Sequence, residues 1–346
     1  MTRDPSNAPF SPIRPHAGGD PVVIGLVNNM PDAALKATEA QFAELVSAAA
    51  HGRPTRFELY ALPEVPRSDA AREHIQQHYL PLATLYGRGV DALIVTGTQP
   101  RCRNLPDEPY WPSFTRLVDW AERNTISTIW SCLAAHAAVY HMDGIERRPF
   151  VDKLSGVFTC TTFRRHALAE GFPTSWPVPH SRYNDLPEDA LRASGYHVLS
   201  RSDQVGVDLF VKQRASLFLF FQGHPEYDRA SLLREYRADI VKFLNGERQN
   251  YPGTPENYFD DETMAALRAY RRRAELEHDT TLLPCLPLAA AEARLTARWR
   301  APAIGIYKSW FDYLAERKEL ESKAGESPFR PGRRDEGAAS ALHSSC

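Results

Sequence analysis

The stretch TISTIWSCLAAHAAVYHM, residues 125–142, passes from a strand-length apolar run into an alanine-rich helical pattern, and Cys132 stands at the junction. A thiol on a strand-to-helix turn lies at a helix N-terminus, where free N–H groups and the macrodipole favour its thiolate. The same N–H groups are placed to hold the oxyanion of a tetrahedral intermediate. A cysteine in an arbitrary setting is more often an inert small hydrophobe. Ser131, Ala134 and Ala135 leave room around Cys132, whereas Cys102, Cys160, Cys285 and Cys346 have no comparable surroundings.

Four further runs resemble the strand that precedes Cys132: PVVIGLV at 21–27, RFELYAL at 56–62, ALIVTG at 92–97 and SLFLFFQG at 216–223. Each is short, rich in β-branched or aromatic residues and closed by a polar or glycine-containing turn, as strands buried on both faces are. Helical patterns such as ATEAQFAELVSAAA and SFTRLVDWAERN lie between several of them. Alternation of this kind predicts an α/β fold with a doubly wound, mostly parallel sheet, whose ligand site gathers at the carboxyl ends of the strands. After residue 228 the patterns RASLLREYRADIVKFLNG, DETMAALRAYRRRAELEH and ARWRAPAIGIYKSWFDYLAERK predict a helical C-terminal elaboration. Residues 1–20 and 318–346, rich in Pro, Gly, Ser and charge, are expected to be disordered tails, leaving 21–317 as one domain.

A cysteine nucleophile needs a base, and SLFLFFQGHPEYD supplies a candidate. His224 follows the last core strand, and Glu226 lies two residues on, so in extended backbone both side chains leave on the same side. A carboxylate so placed orients the imidazole and stabilises its charged form.

Composition narrows the function classes. Hydrophobic residues make up 43% of the 346-residue chain, enough for a full core, while 41 basic and 43 acidic side chains nearly cancel. No global field favours nucleic acid or an anionic membrane, and small molecules are the expected partners. Five widely spaced cysteines without a CxxC pair suit reduced thiols in the cytoplasm, and the histidines lack metal-ligand spacing, so no metal is expected. No apolar run reaches the length of a membrane span.

A cysteine at such an elbow followed downstream by His-Pro-Glu resembles class I glutamine amidotransferase-like domains, which have a flavodoxin-like sheet. Within that superfamily the chain resembles the homoserine O-succinyltransferase family from about Pro21 to about Tyr313. The matching segments are VNNMPDAALKATEAQF, ALIVTGTQP, PYW at 109–111, STIWSCLAAHAAVYHMDGI, KLSGVF at 153–158, PHSRY at 179–183, GHPEYD at 223–228, ENYF at 256–259, WR at 299–300 and SWFDY at 309–313. The resemblance implies that Cys132 takes an acyl group from acyl-CoA as a thioester, that His224 is the general base and that Glu226 supports it. It also implies substrate binding by Lys153 and Ser181, no bound cofactor beyond acyl-CoA as co-substrate, a role in methionine biosynthesis and a homodimer.

Several positions depart from the family pattern. Where the family carries an acceptor-binding arginine this chain has Ala238, with Arg237 beside it as the replacement to be tested. Lys36 is the nearest substitute for a missing lysine pair, and Pro302 and Ala303 replace a histidine and a glycine. Arg101 occupies the position linked to acyl-donor choice; a guanidinium there suits a terminal carboxylate, which favours succinyl over acetyl. Serine or another hydroxy amino acid as acceptor, a glutaminase or hydrolase on the same scaffold, and a silent paralogue remain as alternatives.

Overall fold

The computed structural model of the chain describes residues 20–163 and 166–325. The first half alternates as its apolar runs predict: β1 (Val22–Val27), α1 (Asp32–Ala50), β2 (Thr55–Tyr60), α2 (Asp69–His78), α3 (Leu82–Arg88), β3 (Ala92–Thr96), α4 (Trp111–Asn124), β4 (Ser127–Ser131) and α5 (Leu133–Asp143). There follow β5 (Arg148–Thr162), β6 (Ser175–Asp185), α6 (Glu188–Ala193), β7 (His197–Ser202), β8 (Gly206–Gln213) and β9 (Leu217–Phe221). Helices α7 (Ser231–Leu244), α8 (Asp261–Glu277), α9 (Leu288–Arg294) and α10 (Arg300–Gly325) complete the described residues.

The nine strands form one sheet in the order β2-β1-β3-β4-β9-β8-β7-β5-β6. From β2 to β9 every pairing is parallel, and from β9 to β6 every pairing is antiparallel. The expected parallel sheet is thus present as a core, and the antiparallel extension is a feature that periodicity did not reveal. Period-2 alternation feeds two cores from the same strands. In β9, Leu217, Leu219 and Phe221 pack on the side of α1 and α10, whereas Phe218 and Phe220 pack on the side of α4 and α5. The small residues Ala134, Ala137 and Ala138 of α5 are buried against that second face.

Helix α10 ties distant segments together. The Trp299 indole, just before it, donates to the carbonyl of Tyr227 at 2.7 Å, and the Trp310 indole donates to Ser127 Oγ of β4 at 2.9 Å. Ala303, the small residue in place of the family's glycine, is fully buried here. Lys318 Nζ reaches the carbonyl of Pro21 and the Asp91 carboxylate, both at 2.7 Å. The expected boundary at 317/318 therefore falls inside α10, because a lysine that joins three segments continues the helix instead of leaving it. The expected tails lie otherwise outside the described residues, apart from Asp20.

Candidate active site

Cys132 follows β4 directly and caps α5 with φ 53° and ψ −114°, a conformation that a residue bearing a side chain rarely adopts. Two hydrogen bonds enforce it: its amide donates to the Phe221 carbonyl at the end of β9 (2.7 Å), and its carbonyl accepts from the Ala135 amide (2.9 Å). The turn brings β3 close as well. A Cβ on Gly97 would stand 2.5 Å from Leu133 Cβ, so only glycine lets the end of β3 approach the first turn of α5. The Leu133 and Ala134 amides of that first turn have no carbonyl ahead of them within the helix, which suits them to an oxyanion.

His224 emerges from the neighbouring strand and meets this elbow. Its Nδ1 lies 2.7 Å from Glu226 Oε1, and the Cys132 thiol stands within electrostatic reach of its ring. With Nδ1 turned to the carboxylate, Nε2 is the nitrogen left for the thiol. Burial works against the charged imidazole, but Glu226 and Cys132 outweigh it and hold its pKa well above the usual histidine value. The His224 amide donates to the Pro179 carbonyl (2.8 Å), and the Tyr227 ring stacks on the imidazole with centroids 4.2 Å apart. Cys132, His224 and Glu226, the three residues that the sequence offers as catalytic candidates, thus come together.

Lys153 and Ser181 also converge, and the residue that joins them is Glu235 on α7. Lys153 Nζ lies 3.2 Å from Glu235 Oε2 and 3.0 Å from Asp239 Oδ2. Ser181 Oγ and the Tyr227 hydroxyl both donate to the Glu235 carboxylate. Burial opposes charge on Lys153 and on Glu235 alike. Glu235 and Asp239 nevertheless raise the ammonium's pKa, and Lys153, Ser181 and Tyr227 lower that of Glu235, so both are charged at neutral pH. The motifs KLSGVF and ENYF meet at the same place: Glu256 exchanges backbone hydrogen bonds with Ser155 and Val157, and a Cβ on Gly156 would lie 2.5 Å from the Glu256 carbonyl oxygen.

The acceptor role expected of Arg237 does not fit this arrangement. On α7 it lies two residues past Glu235, about 200° around the helix axis, and it is exposed, as is Ala238. Lys36 is exposed on α1. Arg101 is exposed too; its amide, not its guanidinium, is engaged, with Glu108 Oε1 at 2.6 Å. Sequence reasoning missed Tyr227, Glu235 and Asp239, although Tyr227 lies inside the quoted GHPEYD motif.

One buried cluster went unread. Cys160, His180 and Asp208 bring donor atoms within 4.8 Å of one another from β5, β6 and β8. His180 Nε2 lies 3.5 Å from Asp208 Oδ1, and Asp208 accepts from Ser200 Oγ at 2.7 Å. The cluster backs the catalytic loop: a Cβ on Gly223 would lie 2.7 Å from Asp208 Oδ1 and 3.0 Å from His180 Cε1. Burial raises the Asp208 pKa to about 6.

The family model for homoserine O-succinyltransferase matches residues 15–319. The chain belongs to the homoserine O-succinyltransferase family. Among curated members, a homoserine O-succinyltransferase of Rhodopseudomonas palustris is 49% identical over 85% of this chain and 88% of its own. One of Methylorubrum extorquens is 47% identical over 86% and 88%, and one of Bradyrhizobium japonicum 46% identical over 88% and 96%. Among solved structures, a glutamine amidotransferase from Thermotoga maritima aligns with 86% of this chain and all of its own at 13% identity and a TM-score of 0.48. The fold is α/β, with Cys132 and the His-Pro-Glu segment following the adjacent parallel strands β4 and β9. No described helix is long and apolar enough to cross a membrane.

Proposed function

We infer that this chain is an acyltransferase that moves a succinyl group from succinyl-CoA, through a thioester on Cys132, to the hydroxyl of L-homoserine; the names of its relatives, homoserine O-succinyltransferase, support the group transferred and its acceptor. The observation that carries the reading is the half-buried Cys132 beside the buried His224–Glu226 pair, with a charged Lys153–Glu235 pair one tyrosine ring away. Cys132 Sγ attacks the thioester carbonyl of the donor while first-turn amides of α5 receive the oxyanion. CoA leaves as its thiol, taking the proton held by His224. Homoserine then attacks the acyl-enzyme as His224 removes the hydroxyl proton. Collapse of the intermediate releases O-succinylhomoserine and returns the Cys132 thiol.

Lys153 and Glu235 suit an α-amino acid, whose carboxylate the ammonium attracts and whose ammonium the carboxylate attracts. The pair supports an α-amino acid as one of the reactants. A product that serves methionine biosynthesis and a cytoplasmic setting belong to the same reading, supported by the relatives' names and by the need for a reduced thiol. The test is intact-protein mass after brief exposure to succinyl-CoA. A succinyl adduct that requires Cys132 and is discharged by homoserine is expected; CoA release without any adduct, or discharge by water alone, would overturn the reading.

A further inference from the structure

The four residues Phe221 to His224, which lead out of β9, are each anchored to a different part of the molecule. The Phe221 carbonyl accepts from the Cys132 amide at 2.7 Å, and the His224 amide donates to the Pro179 carbonyl at 2.8 Å. Gly223 lies against Val178, Asp208 and His180, where a Cβ would come within 3.0 Å of all three. Between these anchors stands the side chain of Gln222, which is wholly buried and has no part in the chemistry above.

Both polar atoms of that side chain are engaged. Its Nε2 donates to the Val207 carbonyl at 2.7 Å and to Asp185 Oδ1 at 3.2 Å, and its Oε1 accepts from the Leu186 amide at 3.2 Å. Those partners fix which way the amide faces. Oε1 therefore receives, and His136 Nε2, 2.8 Å from it, donates. Burial, with Arg182 beside it, holds the His136 pKa down to about 3, so the ring is neutral and keeps that proton. Arg182 Nη1 stands 3.5 Å from the same Oε1, and Arg182 Nε donates to His180 Nδ1 at 3.4 Å. His136 in turn sits on α5 one turn beyond Cys132, and its amide donates to the Cys132 carbonyl at 3.3 Å.

One buried amide thus joins the helix that Cys132 caps to the residue two places before His224. Leaving any of its partners unmatched in so dry a place is costly, so the junction has one geometry. We propose that Gln222 is a positioning residue: by holding His136 on one side and the end of β9 on the other, it sets the imidazole of His224 against the thiol of Cys132. The proposal rests on the reading of Cys132 as nucleophile and His224 as base. The same imidazole serves both half-reactions, so Gln222 acts in both and touches neither substrate.

The test separates acylation from discharge by single-turnover measurements on the full-length protein. Gln222→Leu and His136→Phe are each expected to slow acylation by succinyl-CoA and discharge by homoserine by the same factor, about ten- to a hundredfold, the size of a small misplacement of reacting groups. Half-saturating concentrations should change by less than about twofold. The double variant should be no slower than the slower single one, because both remove the same junction. His136→Gln, whose amide N–H replaces the imidazole donor, should come within about threefold of the unaltered rates; with His136→Phe it carries the test if Gln222→Leu does not fold. Thr125→Val is the control for stability. Its hydroxyl bonds the Ala121 carbonyl, Thr128 and Ser216 at the opposite ends of β4 and β9, so its loss should lower the melting temperature and leave both rates alone. Slowing of one half-reaction only, a rise in half-saturation, additive losses, or the same slowing in Thr125→Val would each overturn the proposal. Alkylation of Cys132 by iodoacetamide, read on its own peptide, should slow in Gln222→Leu and His136→Phe whatever the acyl donor. If the unaltered protein takes up no acyl group but alkylation follows the two variants, the acyl-transfer reading falls and the proposal stands; an active protein indifferent to Gln222 sinks the proposal alone.

Discussion

Cys132 and His224 follow adjacent strands, yet the molecule holds them by opposite means. The nucleophile is set by backbone: a positive φ, two main-chain hydrogen bonds and the close approach that Gly97 permits. Its partner is set by charge, with Glu226 behind the imidazole and Glu235, Lys153 and Asp239 beyond Tyr227. A backbone device is indifferent to pH and salt. A charge network depends on protonation and fails partner by partner.

The contrast breaks most sharply at Cys132. Replacing it by glycine removes the nucleophile and also the side chain that makes its φ and ψ unfavourable, so turnover is expected to fall by at least about 10⁴-fold. The melting temperature is expected not to fall, because local strain of this kind costs about 1–3 kcal/mol. Intact mass and a thermal melt check both halves; a marked drop in melting temperature would mean that the elbow is unstrained.

Glu226→Gln comes next, with about a thousandfold loss, as expected when a histidine loses the carboxylate that orients it. The sign of the accompanying pH effect follows from the causes of the shift. Burial disfavours the imidazolium, so removing a carboxylate that outweighed burial lowers the His224 pKa, and the limb of the pH–rate profile that reports it moves to lower pH. A limb that stays in place would assign it to another group.

Glu235→Gln is expected to cost about ten- to a hundredfold, and only in the second half-reaction. Acyl-enzyme formation from succinyl-CoA should keep its rate while kcat/KM for homoserine falls. Equal slowing of both half-reactions would make Glu235 a prop for Tyr227 instead of a partner for the acceptor.

The smallest effect is expected at Asp208. Its folded pKa of about 6 lies above its unfolded value, so between roughly pH 4 and pH 6 the folded state holds more protons and the carboxyl's contribution to stability falls as pH rises. Asp208→Asn lacks that slope, and denaturant melts across this window should show stability that declines less with pH than in the unaltered protein.

What could be read from the sequence divides along the same line. Strands β1, β3, β4 and β9 are buried on both faces and announce themselves as continuous apolar runs. The antiparallel half does not. β5 is exposed through much of its first part, with Val151 wholly so, and β6 carries Pro177 and Pro179, which argue against a strand. The register of β7 against β8 is broken twice, which blurs any alternation. At the site, Cys132, His224 and Glu226 were legible because their signals are local, an elbow and a tripeptide. Glu235 and Asp239 read as the solvated face of a surface helix until Lys153, more than eighty positions earlier in the chain, arrives beside them.

Helix α10 bears on how the protein comes to be active during its synthesis. The Tyr227 carbonyl is held by Trp299, and β4 by Trp310, residues that a ribosome supplies long after Cys132, His224 and Glu226 have emerged. A nascent chain carrying the whole triad still lacks the brace that fixes its histidine loop and nucleophile strand.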